Sequence, residues 1–136
     1  MARYWISLLL FAQTGCVPTE QSPVARAARY LWSQQAADGG WHSHTYGLLS
    51  SGQSLTPFVL TALLEVPEAV YPLPQEKVGR ALAFIQAYTR SGALGMADSI
   101  PDYPNYSTAL AVRALCLARR PDWQKQVEPM IAYLRA

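Results

Sequence analysis

The two histidines of the chain, His42 and His44, lie two positions apart, directly after a Gly-Gly-Trp run. In an extended segment, residues two apart point to the same side, so both imidazoles could approach one metal ion. A stable zinc site needs three or four protein ligands, and Asp38 is the only nearby candidate for a third. The pattern therefore favours two solvated loop histidines, and we expect no metal and no cofactor.

A second candidate for chemistry is the pair Asp98 and Asp102 in the segment DSIPD. General acid–base catalysis needs carboxyl groups that converge, in surroundings that raise the pKa of one of them. The proline between the two aspartates indicates a loop, and nothing in the sequence makes the side chains converge. We predict no catalytic residue here, with a site built from the loop at 98–106 as the alternative.

The first residues indicate export. Arg3 precedes an apolar run at positions 4–12, which is too short to cross a bilayer but matches the core of a secretory signal. Thr14-Gly15-Cys16 then resembles the cleavage site of bacterial lipoproteins, whose cysteine is acylated after cleavage. The resemblance implies a signal peptide at 1–15, a lipidated Cys16 and a tether at 16–22, hence a protein anchored in the bacterial cell envelope. An ordinary secretory signal or an uncleaved anchor is the alternative.

Composition limits the classes of partner. Half of the residues are apolar (51%), 15% are charged, and the formal net charge is +2. These values favour a packed core, and the lack of a Lys/Arg run argues against nucleic acid as a partner. Cys116 lies in an apolar helical run, so we expect a small core residue and no disulfide.

Internal repeats dominate the rest of the chain. The segments 24–35, 78–89 and 127–136 share apolar and aromatic positions, and the segments 56–63 and 108–115 share a second pattern. The order is A–B–A–B–A, with a period of about 50 residues, which is typical of stacked helical hairpins. No alternating strand pattern of useful length is present. We therefore predict an all-α fold.

The two helix types should occupy different positions. Ser22-Pro23 and Thr56-Pro57 each place a hydroxyl N-cap before a proline at the first helical position. The B helices are apolar nearly all round and should be buried on most sides, whereas the A helices carry basic residues and should face outwards. We expect the B helices to line a concave face that binds a hydrophobic ligand or a partner, through Phe58, Leu60, Tyr106, Leu110 and Val112.

The segment RAARYLWSQQAADGGW, at positions 26–41, resembles the QW repeat of triterpene cyclases. Triterpene cyclases share an α/α toroid fold with protein prenyltransferase β-subunits and complement thioester domains, which together form one superfamily. The resemblance implies a partial α/α toroid over residues 23–136. In this corner Gly39 should end the helix in a left-handed conformation, a glutamine should cap a neighbouring helix, and Trp41 should lie over the glutamine amide. The residues of this structural motif are Gln34, Gln35, Asp38, Gly39, Gly40 and Trp41.

The catalytic motifs of the superfamily are missing from this chain. It has no Asp-x-Asp-Asp acid motif, no Asp and Cys at the zinc spacing of the prenyltransferases, and no Gly-Cys-Gly-Glu-Gln thioester motif. We therefore expect a module without its own catalytic site that binds a hydrophobic ligand or a protein, attached to the membrane through its N-terminal lipid and capable of self-association. The alternative is the N-terminal fragment of an isoprenoid-processing or polysaccharide-acting toroid enzyme, since two and a half hairpins do not close a toroid.

Overall fold

The computed structural model describes residues 22–96 and 101–136. Within these ranges the protein is all-α, as predicted, and contains no strand beyond an isolated bridge between Arg90 and Ala93. The predicted signal peptide, Cys16, the tether up to residue 21, and Asp98 lie outside the described residues. The helices are α1 (Pro23–Ser33), α2 (Leu55–Leu64), α3 (Gln75–Tyr88), α4 (Pro104–Ala118) and α5 (Trp123–Arg135), with a short 3-10 helix at Gly47–Ser51.

The five helices follow the predicted A–B–A–B–A order. The B helices α2 and α4 form the most extensive pair, α3 contacts both of them, α1 packs against α2, and α5 packs against α4. Apolar residues on α2 and α4 therefore lie at the centre of the described protein. The largest fully buried apolar side chains are Leu60, Leu63, Val78, Ile85, Leu94, Leu115 and Met130.

The helix ends match the sequence signals at one position and depart from them at another. Ser22 Oγ accepts a hydrogen bond from the Ala25 amide at 3.0 Å, with Pro23 in the first turn, which confirms the predicted N-cap of α1. Thr56 is not an N-cap, because α2 already begins at Leu55. The Thr56 hydroxyl instead accepts a hydrogen bond from the Trp41 amide. A long-range partner has taken the place of the local cap.

The B helices are not buried on all sides. Phe58 on α2 and Tyr106 on α4 each expose about half of their surface, 50% and 53% respectively. Cys116 is a half-buried free thiol that packs against the core. Across residues 22–96 and 101–136, no helix has the length and apolar character required to cross a membrane.

Candidate ligand-binding groove

Gln35 joins the loop after α1 to helix α3. Its Nε2 donates to the carbonyls of Gly39 and Lys77, at 2.9 Å each, and its Oε1 accepts from the Arg80 guanidinium at 3.3 Å. Gln34 is exposed, and among the described residues its side-chain amide donates a hydrogen bond only to the neighbouring Ser33 hydroxyl. Of the two glutamines in the motif, Gln35 therefore makes the contact with the next hairpin.

Gly39 does not end α1, because that helix stops at Ser33. The glycine is nevertheless left-handed, with φ of 92°, and a Cβ at this position would overlap the carbonyl of Arg80 on α3. Gly40 is equally confined, since its Cβ would meet the Phe84 ring. The two glycines thus allow the loop to approach α3 closely, and this accounts for their presence better than helix termination does.

Trp41 is buried and packs against Trp32, with ring centroids 5.5 Å apart. Its Nε1 donates to the Leu31 carbonyl at 2.7 Å, near the end of α1. An aromatic pair therefore closes this corner, and the position of Trp41 over a glutamine amide stays a prediction.

Asp38 and His42 form a latch on the same loop. His42 Nε2 lies 3.0 Å from Asp38 Oδ2, and Nδ1 lies 2.9 Å from the Ser50 carbonyl oxygen. Both ring nitrogens thus face oxygen atoms, one of a carboxylate and one of a main-chain carbonyl. Burial raises the pKa of the Asp38 carboxyl, but the Gly40 amide and the His42 ring outweigh burial and lower it.

The two histidines lie in different surroundings. His44 is exposed, whereas the His42 ring is occupied by Asp38 and Ser50. Residues 22–96 and 101–136 contain no group of three or more His, Cys, Asp and Glu side chains placed to hold a metal ion.

Asp102 is the buried charged residue at the start of the two central helices, with 1% of its surface exposed. Its Oδ2 accepts from the Ser51 hydroxyl at 2.6 Å and from the Ser54 amide at 3.1 Å. Its main-chain carbonyl accepts from the Ser107 hydroxyl at 2.6 Å. A carboxylate at the first turn of α2 interacts favourably with the helix dipole. Asp102 therefore connects the loop before α4 to the beginning of α2.

Two polar atoms near this junction are buried without a partner among the described residues. They are Oδ1 of Asp102 and Oγ of Ser54. No Lys, Arg or His of the described ranges forms an ion pair with Asp102. Buried polar groups are nearly always hydrogen-bonded, so two such atoms next to each other in the fold call for an explanation.

A groove of about 190 Å³ opens beside Ser54, lined by Leu49, Ser54, Leu55, Phe58 and Tyr106. A second groove, of about 360 Å³, adjoins it through Leu49 and is lined also by Thr45, Tyr46, Gly47, Leu48 and Tyr103. Phe58 is exposed, and so are four other large side chains that line the two grooves: Tyr46, Leu48, Tyr103 and Tyr106. We call the smaller cavity, with Ser54 at its edge, the α2–α4 groove.

The five residues expected to line a concave face separate into two groups. Phe58 and Tyr106 line the α2–α4 groove together. Leu60 has no exposed surface and lies in the core, which removes it from any ligand-facing position. Leu110 and Val112 are half-buried, and Val112 packs against the core. The direction of each side chain around the helix decides this division, and the nearly all-apolar B helices give no polar face from which to infer it.

Sequence reasoning missed Ser54, Leu49 and the burial of Asp102. The available signal was weak: an aspartate shortly before a helix and a serine at the start of another are common capping residues. In chemical terms the α2–α4 groove offers an apolar wall, a serine hydroxyl and, behind the serine amide, a carboxylate. Models of protein families, curated proteins and solved structures were all compared with this chain, and none matches it.

Proposed function

We propose that this protein is a binding module for a small hydrophobic ligand, which occupies the α2–α4 groove. The observation that carries the proposal is the convergence of Phe58 and Tyr106. These residues come from two helices packed against each other, are each half exposed, and line one cavity. Exposed apolar side chains that cluster in a concave site are typical of ligand-binding surfaces.

The size of the groove suggests the size of the ligand. A closed cavity of about 150 Å³ accommodates benzene, so about 190 Å³ suits one aromatic ring with a short substituent. Covering the exposed half of Phe58 or Tyr106 would contribute on the order of 1 kcal/mol for each ring. Together these contributions, about 2 kcal/mol, are smaller than the roughly 4 kcal/mol that corresponds to a Kd of 1 mM, so millimolar or weaker affinities are expected for such a ligand alone.

The site of action in the proposal is the bacterial cell envelope. The apolar run at 4–12 and the Thr-Gly-Cys sequence ending at Cys16 support export and lipid attachment. The A–B–A–B–A helix order is compatible with part of an α/α toroid, which we retain as the proposed relationship. Mass spectrometry of the envelope-purified protein tests the anchor: the wild type should carry acyl mass and the Cys16→Ala variant should not, and equal masses after the residue change is subtracted would overturn it.

Fluorescence titration with N-phenyl-1-naphthylamine, an uncharged dye that brightens on apolar surfaces and carries a phenyl ring of the size the groove accepts, tests the groove. Phe58→Ala should weaken dye binding several-fold, because it removes one wall of the groove. The control is Leu117→Ala, which removes an exposed apolar side chain from α4 outside the groove. Equal dye binding by wild type and Phe58→Ala, or an equal loss in both variants, would contradict the proposal.

A further inference from the structure

The α2–α4 groove has an unusual polar edge. Ser54 lines the groove and is 2% exposed, yet its hydroxyl has no partner among the described residues. The amide of the same residue donates to Asp102, which is buried as well. A ligand in the groove is therefore one source of the hydrogen bond that the Ser54 hydroxyl lacks.

Asp102 defines which kind of partner is missing. An ionised carboxylate only accepts hydrogen bonds. Its Oδ2 already accepts from Ser51 and Ser54, whereas Oδ1 accepts from none of the described residues. A group that hydrogen-bonds to Oδ1 must therefore be a donor.

A second anion at this place is disfavoured. The N-terminus of α2 lies here, and its partial positive charge already interacts with the Asp102 carboxylate through the Ser54 amide. An anionic head group would lie near this buried carboxylate, with no described basic side chain paired to it. Like charges in such surroundings repel strongly.

We propose that the ligand of the α2–α4 groove has an apolar body, held between Phe58 and Tyr106, and a hydrogen-bond-donor head group, a hydroxyl or an ammonium. The head group contacts the Ser54 hydroxyl, and its donated hydrogen bond supplies what the Ser54–Asp102 pair lacks. This inference rests on the proposed function and adds the chemical class of the ligand.

Four compounds of nearly the same size separate the head group from the apolar body: ethylbenzene, 2-phenylethanol, 2-phenylethylamine and phenylacetate. Each is titrated into the folded protein and followed by the amide shifts of the groove residues in ¹H–¹⁵N NMR spectra. One satisfied buried hydrogen bond corresponds to a roughly fivefold to tenfold gain in affinity. The alcohol, the amine or both should therefore bind that much more tightly than ethylbenzene, and phenylacetate should bind more weakly than either.

Two variants locate the effect. Ser54→Ala should reduce the gain of the alcohol and the amine over ethylbenzene to near zero. Ser33→Ala, at an exposed position at the end of α1, should leave that gain unchanged. Asp102→Asn removes the negative charge behind Ser54 and should weaken the discrimination against phenylacetate. If Asp102→Asn does not fold, the Ser54→Ala comparison still decides.

The failures are distinguishable. Equal binding of all four compounds, or a gain that survives Ser54→Ala, would overturn the donor head group and leave the hydrophobic groove standing. Preferential binding of phenylacetate by the wild type would also overturn it. Absence of any shift at the groove residues with all four compounds would overturn the inference together with the proposed function.

Discussion

The backbone amide of Leu94 donates to the hydroxyl of Thr108 at 2.9 Å, just as the amide of Trp41 donates to the hydroxyl of Thr56 at 3.0 Å. Leu94 lies 53 positions after Trp41, and Thr108 lies 52 positions after Thr56, so the two hydrogen bonds are at equivalent places in the two copies of the repeat. Leu94 thus occupies the place of the buried tryptophan. The corner repeats as backbone geometry even where its most recognisable side chain is absent.

Replacing either threonine should therefore destabilise the fold to a similar extent. Thr56→Val and Thr108→Val keep the shape of the side chain but leave a buried amide without an acceptor, at a cost of about 1–3 kcal/mol each. Denaturant unfolding followed by circular dichroism measures the loss. Thr45→Val, at an exposed loop position, is the control and should lie within about 0.5 kcal/mol of the wild type. Wild-type stability in both buried variants would show that these bonds are not needed.

The glycines of the two corners should be equally intolerant of a side chain. Gly39 and Gly92 have φ of 92° and 80°, and a Cβ would overlap the carbonyls of Arg80 and Pro129 respectively. Gly39→Ala and Gly92→Ala should each lower the free energy of unfolding by about 1–3 kcal/mol, and more where the backbone cannot move.

Gly79→Ala is the matched control. This glycine lies within α3, and a Cβ there meets nothing within 4 Å. Alanine should therefore stabilise the helix by about 0.5–1 kcal/mol. A loss of stability at Gly79 equal to that at Gly39 and Gly92 would contradict the close-approach explanation.

The latch between Asp38 and His42 predicts a pH dependence with a definite sign. The folded pKa of Asp38 lies below its ordinary value of 3.8, so the carboxylate favours the folded state above that pH. This contribution is lost as the pH falls through the folded pKa, where the carboxyl group becomes protonated. The stability difference between wild type and Asp38→Asn should therefore be greater at pH 6 than at pH 2.5.

Chemical denaturation across this pH range measures the effect of the latch. Glu68→Gln removes an exposed carboxylate outside it and serves as the control for general charge effects. A wild-type minus Asp38→Asn difference that stays constant with pH, or grows towards acid, would contradict the predicted sign.

Ser51 and Ser54 provide an internally controlled pair. Ser51→Ala removes the hydroxyl that donates to the buried Asp102 carboxylate and should cost about 1.5–3 kcal/mol of stability. Ser54→Ala removes a hydroxyl without a described partner and keeps the hydrogen bond from the Ser54 backbone amide to Asp102. The free energy of unfolding should therefore change by no more than about 0.5 kcal/mol. Equal losses in the two variants would show that the Ser54 hydroxyl is bonded in the folded protein.

The helices and their order could be predicted from the sequence because they depend on patterns of neighbouring residues. Apolar periodicity located all five helices, and the Ser22-Pro23 cap placed the start of α1. The cap proposed at Thr56 was wrong because the Trp41 amide, 15 residues away, takes the hydroxyl. Local rules hold where no distant partner competes for the same group.

The sequence predicted only part of the lining of the α2–α4 groove. Phe58 and Tyr106 were identified as apolar residues on the central helices, but the same pattern also selected Leu60, which lies in the core. The hydrogen bond between Ser51 and Asp102 joins residues 51 positions apart, at the end of the 3-10 helix and in the segment before α4. Neither residue on its own therefore predicts this contact. Burial of a polar side chain depends on packing between distant segments, and a single sequence carries no direct record of it.

The most direct test of a ligand bound between α2 and α4 is a set of intermolecular nuclear Overhauser effects with 2-phenylethanol. The account predicts contacts from the ligand ring to the ring protons of Phe58 and Tyr106, and none to Tyr30, an exposed tyrosine on α1 outside the groove. Tyr106→Ala should abolish saturable binding, whereas Tyr30→Ala should leave it unchanged. Contacts to Tyr30 as strong as those to Phe58 and Tyr106, or equal binding by the two tyrosine variants, would contradict it.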